Sequence, residues 1–407
     1  MTEISILEVR LRSRAVGTLT HVQGNRTLFA FNPDYVEDSS RQTLSLSFRD
    51  SFGELLTKFR PVQRVVPTFF SNLLPEGPLR RYLAQKAGVN AGREFYLLWM
   101  LGHDLPGAVT VHPLESEALP PGLDEALPDE ALRGALRFSL AGVQLKFSAL
   151  ENGRKYGGLT IPAEGVGGGW IVKLPSQQFR GVPENEFSMM TLAGKIGMDV
   201  PDIELMDLDR IEGLPEGVGE LRGQAMAIRR FDRTEAGSVH MEDFAQVFGL
   251  YPEDKYEQAT YRTIGKVLGI EVGEAGVAEF IRRLVFSTLI GNADMHLKNW
   301  SLLYPDGVTP ALSPAYDLLS TILYLPDDDA ALKYSRTKRM AELSVDELKH
   351  LAAKAGLSEK LVLNTASETV GRFKDAWNAE KMHLPLAKDV VAAVDKFAPT
   401  VDLYNQV

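Results

Sequence analysis

The chain has 407 residues, 44% hydrophobic and 24% charged, which is enough apolar material for the cores of two or three soluble domains. It contains no cysteine, which excludes disulfides, thiolate zinc sites and cysteine nucleophiles and is compatible with a reducing compartment. The formal net charge of −10 argues against a protein that binds DNA through a basic surface of its own. The N-terminus lacks a signal-peptide pattern and no run of about 18 apolar residues occurs, so we expect a cytoplasmic protein without membrane spans.

The first 50 residues predict a small β-rich unit. In residues 4–12, Leu7, Val9 and Leu11 alternate with charged residues, which is the pattern of a half-buried strand. Residues 44–48 alternate again and predict a further strand, with glycine-containing turn signals between the two segments.

Helical periodicity follows at 79–87 and 94–101, and the strongest helix is predicted at 279–291. Its apolar positions fall on one face: Ile281, Leu284, Val285, Thr288 and Leu289. Ser344 with Glu347 three positions later predicts a capping box at the start of another helix.

The middle of the chain contains the clearest linker. Residues 114–130 carry six acidic residues, no basic residue and three prolines. From 138 to 174 short β-like runs alternate with glycine-rich turns, and from about 185 the spacing becomes helical, apart from an apolar strand-like run at 224–228. The order is therefore a β-rich unit, a linker, a second β-rich segment and a helical region.

The segment 291–300 carries the sharpest chemical signal. An amphipathic helix ends at Gly291, and Asp294 follows in a polar loop, five positions before Asn299. Protein kinases use this spacing in the catalytic loop, where the aspartate accepts the substrate hydroxyl's hydrogen and the asparagine binds Mg²⁺. Further along, Tyr316-Asp317 follows an apolar run and resembles the second magnesium ligand of a kinase. A lone loop aspartate is usually a cap or a solvated charge, but this combination is much rarer by chance.

A lysine and a glutamate are candidates for the phosphate end of a nucleotide site. Lys173 lies within the apolar run 170–175, where an unpaired charge would be costly. Kinases pair such a lysine with a helical glutamate, and Glu186, near the start of a predicted helix at 186–196, is the first candidate, with Glu184 second. The alternative is an edge lysine whose ammonium reaches solvent.

The segment 139–146 lies between two β-like runs, which is the place of a phosphate-covering loop. It has a single glycine and fails the usual GxGxxG pattern, so it is a weak signal alone. The glycine-rich stretch 165–169 matches no phosphate-loop spacing and favours a hairpin turn.

Together these segments resemble the HipA family of bacterial kinase toxins from type II toxin–antitoxin systems, over nearly the whole chain. Residues 71–77 (SNLLPEG) are similar to the family's N-terminal subdomain. The kinase core is matched by the segments 139–146, 170–175, 224–233, 291–301 and 314–320. The resemblance implies an α+β, bilobal protein-kinase-like fold with four parts: an N-terminal β-rich subdomain at 1–113, the linker at 114–130, the small lobe at 131–232 and the helical large lobe at 233–407.

The resemblance also implies roles for individual residues. Asp294 would be the catalytic base, and Asn299 and Asp317 would hold Mg²⁺. Glu186 would pair with Lys173, and Ser139 would be an autophosphorylation site. Contacts to ATP would come from the phosphate-covering loop, the strand lysine, the hinge and the catalytic and metal-binding loops: Ala141, Gly142, Val143, Gln144, Leu145, Lys146, Lys173, Arg229, Arg230, Phe231, His296, Leu297, Lys298, Asn299, Tyr316 and Asp317.

One hinge position departs from the family pattern, since relatives often have a glutamate where Arg229 stands. Hinge contacts to adenine run largely through backbone groups, so this departure affects the adenine contact more than the activity. The resemblance further implies a small helix-turn-helix antitoxin, operator DNA bound mainly through that antitoxin, and a protein substrate modified on serine. Aminoacyl-tRNA synthetases are among the family's substrates.

Two alternatives remain open at the level of sequence. A small-molecule kinase of the aminoglycoside-phosphotransferase type also places Asp five positions before Asn, although the β-rich N-terminal unit and the loop serine disfavour it. A catalytically silent co-repressor is the other alternative. All four of the residues expected for catalysis are present, which argues against a kinase site that has lost its activity: Lys173, Asp294, Asn299 and Asp317.

Overall fold

The structure is a computed structural model of the chain. It describes residues 5–63, 65–86, 90–114, 146–151, 158–161, 168–176, 178–214, 221–326 and 329–407. The predicted linker 114–130 and the loop 139–145 therefore lie almost entirely outside the described residues, with only Leu114 inside them.

The N-terminal unit is built on a five-stranded antiparallel sheet in the order β4-β3-β2-β1-β5. Its strands are β1 (Ser5–Leu11), β2 (Arg14–Val22), β3 (Arg26–Phe31), β4 (Val62–Gln63) and β5 (Val109–Pro113). Its helices are α1 (Pro33–Glu37), α2 (Thr68–Ser71), α3 (Gly77–Lys86) and α4 (Glu94–Leu101). The inward faces of β1 and β5 pack with α2 and α4 in a core of their own, so this unit buries its apolar side chains independently of the rest.

Sequence periodicity predicted most of this unit. The alternation at 4–12 corresponds to β1, whose apolar side chains point into the core, and the helices at 79–87 and 94–101 correspond to α3 and α4. The strand expected at 44–48 is wrong, because Leu46–Phe48 form a 3-10 turn. Ser45 begins this turn by accepting a hydrogen bond from the backbone N–H of Ser47, which commits the segment to a turn rather than a ladder.

A second, six-stranded sheet has the order β10-β7-β6-β8-β11-β9. Its strands are β6 (Lys146–Glu151), β7 (Leu159–Thr160), β8 (Trp170–Lys173), β9 (Ile203–Asp207), β10 (Ile211–Glu212) and β11 (Gln224–Arg229). The helix α5 (Val182–Lys195) packs against β9 and β11. It begins four residues earlier than the predicted 186–196, since Gly181 in the left-handed conformation precedes Pro183 in the first turn.

The remaining residues form the helical lobe. Its helices are α6 (Phe244–Val247), α7 (Tyr261–Glu271), α8 (Glu274–Leu289), α9 (Val345–Ala355), α10 (Glu359–Glu380), α11 (Lys388–Phe397) and α12 (Asp402–Gln406). It also contains the hairpin β12 (Arg233–Thr234) and β13 (Gly237–Ser238) and the three-stranded sheet β14 (His240–Asp243), β15 (Ser301–Tyr304) and β16 (Ala311–Leu312). The α8 helix is buried against α10, as the apolar face predicted at 279–291 requires.

The capping box predicted at Ser344 is half correct. The Ser344 hydroxyl accepts a hydrogen bond from the backbone N–H of Glu347 at 3.2 Å. The Glu347 carboxylate does not return to Ser344, because it accepts hydrogen bonds from the backbone N–H groups of Ser335 and Arg336 and from the Arg336 guanidinium. A tertiary contact thus replaces the local one.

The two lobes meet at a hinge after β11, and the N-terminal unit touches both the hinge and the helical lobe. No helix among the described ranges is long and apolar enough to cross a membrane.

Candidate active site

Lys173 is the centre of the site between the lobes. It ends β8, which pairs with β6 and β11, so its backbone is fixed on both sides. The ammonium donates to the Glu186 carboxylate on α5 and to Asp317 Oδ1 on the segment after β16. The lysine and Glu186 are both buried, and Asp317 remains partly exposed. The predicted pair of Lys173 and Glu186 is therefore in direct contact. Glu184, the second candidate, lies in the first turn of the same helix.

The charges of Lys173, Glu186 and Asp317 influence one another's pKa. Burial alone would lower the pKa of Lys173, but Asp317 and Glu186 outweigh it and raise the pKa above its ordinary value. Burial likewise opposes ionisation of Asp317, yet the charges of Lys173 and Lys146 hold its pKa below the usual range. Burial raises the pKa of Glu186, which Lys173 only partly offsets. The charged forms of Lys173 and Asp317 therefore stabilise each other in this site.

Two pairs of hydrogen bonds fix the segment that carries Asp317 to its neighbours. Asn185 Nδ2 donates to the carbonyl of Ser320 at 2.8 Å, and Asn185 Oδ1 accepts from the N–H of Ser320 at 3.0 Å. The Thr321 hydroxyl donates to the carbonyl of Gly291 at 3.0 Å and accepts from the N–H of Ala293 at 2.8 Å. The segment that carries Asp317 is thus bonded both to the helix of Glu186 and to the loop of Asp294.

The loop after α8 brings Asp294 and Asn299 together. Asn299 ends the 3-10 turn Leu297–Asn299, and its Nδ2 donates to the carbonyl of Asp294 at 2.7 Å. The backbone N–H of Asp294 donates to Asn292 Oδ1 at 3.0 Å. The Asp294 carboxylate is partly exposed, and its Oδ1 accepts a hydrogen bond from the Tyr256 hydroxyl at 2.6 Å.

Burial raises the pKa of Asp294 to about 7, and the Tyr256 hydrogen bond and the charge of Lys255 only partly offset this rise. A carboxylate with a pKa near neutrality is well matched to accept a proton from a hydroxyl. Tyr256 and Lys255 were not found from the sequence, because no spacing rule connects them to the Asp294 loop.

The oxygen atoms of Asp317 and Asn299 fit a Mg²⁺ ion. Magnesium prefers hard oxygen ligands and usually takes only one or two from the protein, with the rest from water and substrate phosphates. The hydrogen bond from Asn299 Nδ2 leaves the amide oxygen outside that bond. Asp317 Oδ1 accepts from Lys173, so one carboxylate and one amide oxygen would be the protein ligands of a Mg²⁺ ion, and this assignment stays a prediction.

The hinge residues have different surroundings from one another. Arg229 is exposed and lies over the Trp170 ring at 5.8 Å. Arg230 is buried, with its guanidinium on Asp232 and on Asp104 of the N-terminal unit, both at 2.8 Å. Phe231 lies 5.7 Å from the Tyr316 ring, centroid to centroid. The Arg230 side chain thus serves the junction between units, and its backbone N–H donates to the carbonyl of Gly169 at 2.8 Å.

The three residues between Asp294 and Asn299 that were expected to line the nucleotide site point in different directions. His296 is buried, and burial together with Lys255 lowers its pKa to about 3, so the ring is neutral. Leu297 is fully buried in the core of the lobe. Lys298 donates to the backbone carbonyl of Asn72 at 2.8 Å and pairs with Asp243 at 3.0 Å. The Lys298 ammonium therefore lies at the N-terminal unit.

Lys146 begins β6 directly opposite Lys173 in the sheet and is exposed. The other residues of the predicted phosphate-covering loop, Ser139 and Ala141 to Leu145, lie outside the described residues.

Comparison with known proteins identifies the family. A family model described as the HipA-like C-terminal domain matches residues 138–377, and one described as the HipA N-terminal domain matches residues 7–112. This chain belongs to the HipA family. Both halves of the molecule are accounted for by the match, and the family resemblance drawn from the sequence motifs is confirmed.

Named relatives agree with this assignment. A provisionally named kinase of Sinorhizobium fredii, Y4dM, is 67% identical over 407 residues, with 100% of this chain and 99% of the relative covered. A second one from the same organism, Y4mE, is 31% identical, with 92% and 91% covered. The serine/threonine-protein kinase toxin HipA of Shewanella oneidensis is 28% identical over 296 residues, 64% of each chain.

A solved structure shares the fold. It is described as the Shewanella oneidensis MR-1 toxin–antitoxin system HipA, HipB and its operator DNA complex. The match has a TM-score of 0.73 at 23% identity and covers 97% of this chain and 95% of that one. The expected α+β, bilobal kinase-like fold is thereby confirmed.

Proposed function

We propose that this HipA-family chain is a serine/threonine protein kinase that transfers the γ-phosphoryl group of ATP to a protein hydroxyl. The observation that carries the proposal is the contact of Lys173 with both Glu186 and Asp317, beside a loop in which Asp294 and Asn299 are hydrogen-bonded. Protein kinases need this lysine–glutamate pair and this metal-binding aspartate in place at the same time.

Each residue has a separate task in the proposed reaction. Lys173 contacts the ATP phosphates, and Glu186 keeps its ammonium in position. Asp317 and Asn299 hold Mg²⁺, which neutralises charge on the phosphates when it is bound. Asp294 accepts the proton of the acceptor hydroxyl through its carboxylate. Phosphoryl transfer depends mainly on positioning and electrostatics, so fixed groups of this kind supply most of the rate.

The adenine and phosphate ends complete the ATP site. The hinge Arg229 to Phe231 surrounds adenine, with Tyr316 and the backbone around His296 beside it. The segment 139–146 covers the phosphates, with Lys146 as its described end. Ser139 is an autophosphorylation site in this proposal, as the family resemblance implies, and a phosphate there would add negative charge to the phosphate-covering segment.

The Asp294 assignment gives the first prediction. Asp294→Ala should reduce phosphoryl transfer by several orders of magnitude while ATP affinity and thermal stability stay close to wild type, since a base contacts the acceptor more than the nucleotide. Transfer from γ-radiolabelled ATP into protein measures the first, and calorimetry measures the second. Asp375→Ala is the matched control, because Asp375 is an exposed aspartate on α10. Transfer by Asp294→Ala at the wild-type rate would refute the assignment.

The partners follow from the family and its solved relative. We propose that a small helix-turn-helix antitoxin binds this kinase and supplies most contacts to operator DNA, since the chain itself is acidic. The support is the solved structure titled as a complex of HipA, HipB and operator DNA. The protein substrate is modified on serine, and an aminoacyl-tRNA synthetase is the first candidate to test.

A further inference from the structure

The segment 72–76 of the N-terminal unit contacts Lys298 in the Asp294 loop and Lys255 in a segment bonded to that loop. Asn72 accepts hydrogen bonds from Lys298, 226 positions away, through its carbonyl at 2.8 Å and its Oδ1 at 3.1 Å. Asn72 Nδ2 also donates to the carbonyl of Leu250 at 2.8 Å. One end of the catalytic loop is therefore held by a residue from outside the kinase core.

Glu76 forms ion pairs with Lys255 and Lys298. Its Oε2 is 2.8 Å from Lys255 Nζ, and its Oε1 is 3.6 Å from Lys298 Nζ. The Lys255 side chain is only 8% exposed, and Glu76 is its one ion-pair partner within the described ranges. Burial opposes the charge of Glu76, but Lys298 and Lys255 lower its pKa to about 2, so the carboxylate is ionised throughout the physiological range.

Lys255 connects this ion pair to the catalytic base. Its backbone carbonyl accepts a hydrogen bond from the N–H of Leu297 at 3.2 Å, inside the loop. The next residue, Tyr256, donates its hydroxyl to Asp294 Oδ1 at 2.6 Å, and its ring packs edge-on against His296 at 5.0 Å. The path from Glu76 to Asp294 thus consists of one ion pair, one peptide unit and one hydrogen bond.

We propose that Glu76 and Tyr256 are positioning residues for phosphoryl transfer, Glu76 acting through Lys255 and Tyr256 on Asp294, so that the N-terminal unit completes the active site. This inference rests on the proposed kinase function. The Tyr256 hydroxyl occupies one carboxylate oxygen of Asp294 and fixes the plane of the carboxylate. The other oxygen is then held in a set direction for the proton of the acceptor hydroxyl.

A purely structural role for Glu76 would have different consequences. If the Glu76–Lys255 pair only attached the N-terminal unit to the helical lobe, its loss would lower stability and leave the rate of transfer unchanged. A positioning role changes the rate at saturating ATP and leaves the ATP concentration for half-maximal rate unchanged, because neither residue belongs to the proposed ATP site. A displaced catalytic group costs roughly ten- to a hundredfold in rate.

The test is a double-mutant cycle of Glu76→Gln and Tyr256→Phe. Incorporation of label from γ-radiolabelled ATP into the chain itself is followed at a series of ATP concentrations. Each single variant should lower the maximal rate roughly ten- to a hundredfold and leave half-saturation near wild type. Glu76→Gln should also lower Tm, because the buried Lys255 ammonium loses the Glu76 carboxylate. In the Tyr256→Phe background, Glu76→Gln should change the rate by less than about twofold, because its effect passes through Tyr256. Additive losses, or a loss of Tm alone, overturn the proposal.

Matched controls make the same chemical changes elsewhere. Glu37→Gln alters an exposed glutamate at the end of α1, and Tyr404→Phe alters a tyrosine on α12 whose ring lies under Lys374. Both should transfer phosphate at the wild-type rate. A loss in either control as large as that in the tested variants would also overturn the proposal.

A second measurement does not depend on activity. Amide hydrogen exchange should become faster in peptides covering 253–256 and 294–299 in Glu76→Gln, and stay unchanged in α8, since only the loop loses its support. If wild type incorporates no label and Asp294→Ala behaves identically, the kinase function fails, while the exchange result still decides whether Glu76 positions the loop. Unchanged exchange in both peptides refutes that role.

Discussion

The backbone of Asp317 has a φ of 55°, in the left-handed region that costs most residues about 1–2 kcal/mol. Aspartate and asparagine tolerate this region better than other non-glycine residues. The hydrogen bonds of Ser320 and Thr321 to neighbouring elements hold the segment in this conformation. The carboxylate is thereby turned toward Lys173, where a metal ligand and a phosphate-contacting lysine would have to meet.

Replacing Asp317 tests its metal role without disturbing its backbone. Asp317→Asn keeps the shape and the tolerance of positive φ but removes the charge shared by Mg²⁺ and Lys173. ATP affinity with Mg²⁺ should fall roughly ten- to a hundredfold, the range usual for perturbed metal sites. Calorimetric titrations in Mg²⁺ and in EDTA measure this. An equal loss in EDTA would show that Asp317 acts on the fold or on Lys173 and not on the metal.

At the residue scale, sequence reasoning selected pairs of residues that the structure brings into contact. Asp294 and Asn299 lie five positions apart in one loop, and Lys173 required a buried partner that Glu186 supplies. It failed for the direction of Lys298 and missed Tyr256. Their partners come from segments far away in the chain, and no local pattern encodes which segment a side chain will meet.

The loop between α1 and the 3-10 turn Leu46–Phe48 contacts the sheet β14-β15-β16. It shows that local sequence does not encode distant contacts at the scale of elements either. The N–H of Thr43 donates to the carbonyl of Gly307 at 2.8 Å. The carboxylate of Glu242, fully buried on β14, accepts hydrogen bonds from Ser45, from the N–H of Leu46 and from the Tyr304 hydroxyl. The apolar alternation at 44–48 predicted a strand, but a buried carboxylate from a distant strand takes the Leu46 N–H that a ladder would use.

Glu242 should make stability depend on pH. Burial raises its pKa from 4.5 to about 7. Between these two pH values the folded state therefore keeps a proton on Glu242 that the unfolded chain has lost. The stability associated with this proton is complete below the unfolded pKa and is lost as pH rises through about 7. The Glu242→Gln side chain can accept from Leu46 and Tyr304 and donate to Ser45 without a charge.

Wild type should therefore lose roughly 1–2 kcal/mol relative to Glu242→Gln between about pH 6 and about pH 8, equivalent to about one to two degrees in Tm for a chain of 407 residues. Thermal unfolding of both proteins at each pH measures the difference. His240, whose pKa burial lowers to about 4, is present in both proteins and does not contribute to it. Parallel curves for the two proteins over this range would contradict the prediction.

At the scale of the whole molecule, the N-terminal unit contacts the parts of the kinase core that determine its geometry. Its Asp104 pairs with Arg230 of the hinge at 2.8 Å and with Arg233, just after the hinge, at 3.0 Å. The backbone N–H of Gly107 donates to Asp232 at 2.8 Å. Hinges absorb the backbone rotation when lobes close on a nucleotide, so this contact restrains the relative orientation of the lobes. The division of the chain into these parts was suggested by composition, but composition does not encode where the parts touch.

The family assignment leads to a prediction about the whole protein in cells. Expression of this chain alone should arrest growth, and co-expression of the proposed helix-turn-helix antitoxin should relieve the arrest by binding the kinase. Asp294→Ala should not arrest growth but should still bind that protein, because the base is not expected to support the fold. Growth curves with wild type and Asp294→Ala test toxicity, and co-purification tests binding.

A stable complex that forms with Asp294→Ala but does not relieve the arrest by wild type would separate binding from neutralisation. Absence of any complex with either protein would refute the proposed partner, whatever the growth result.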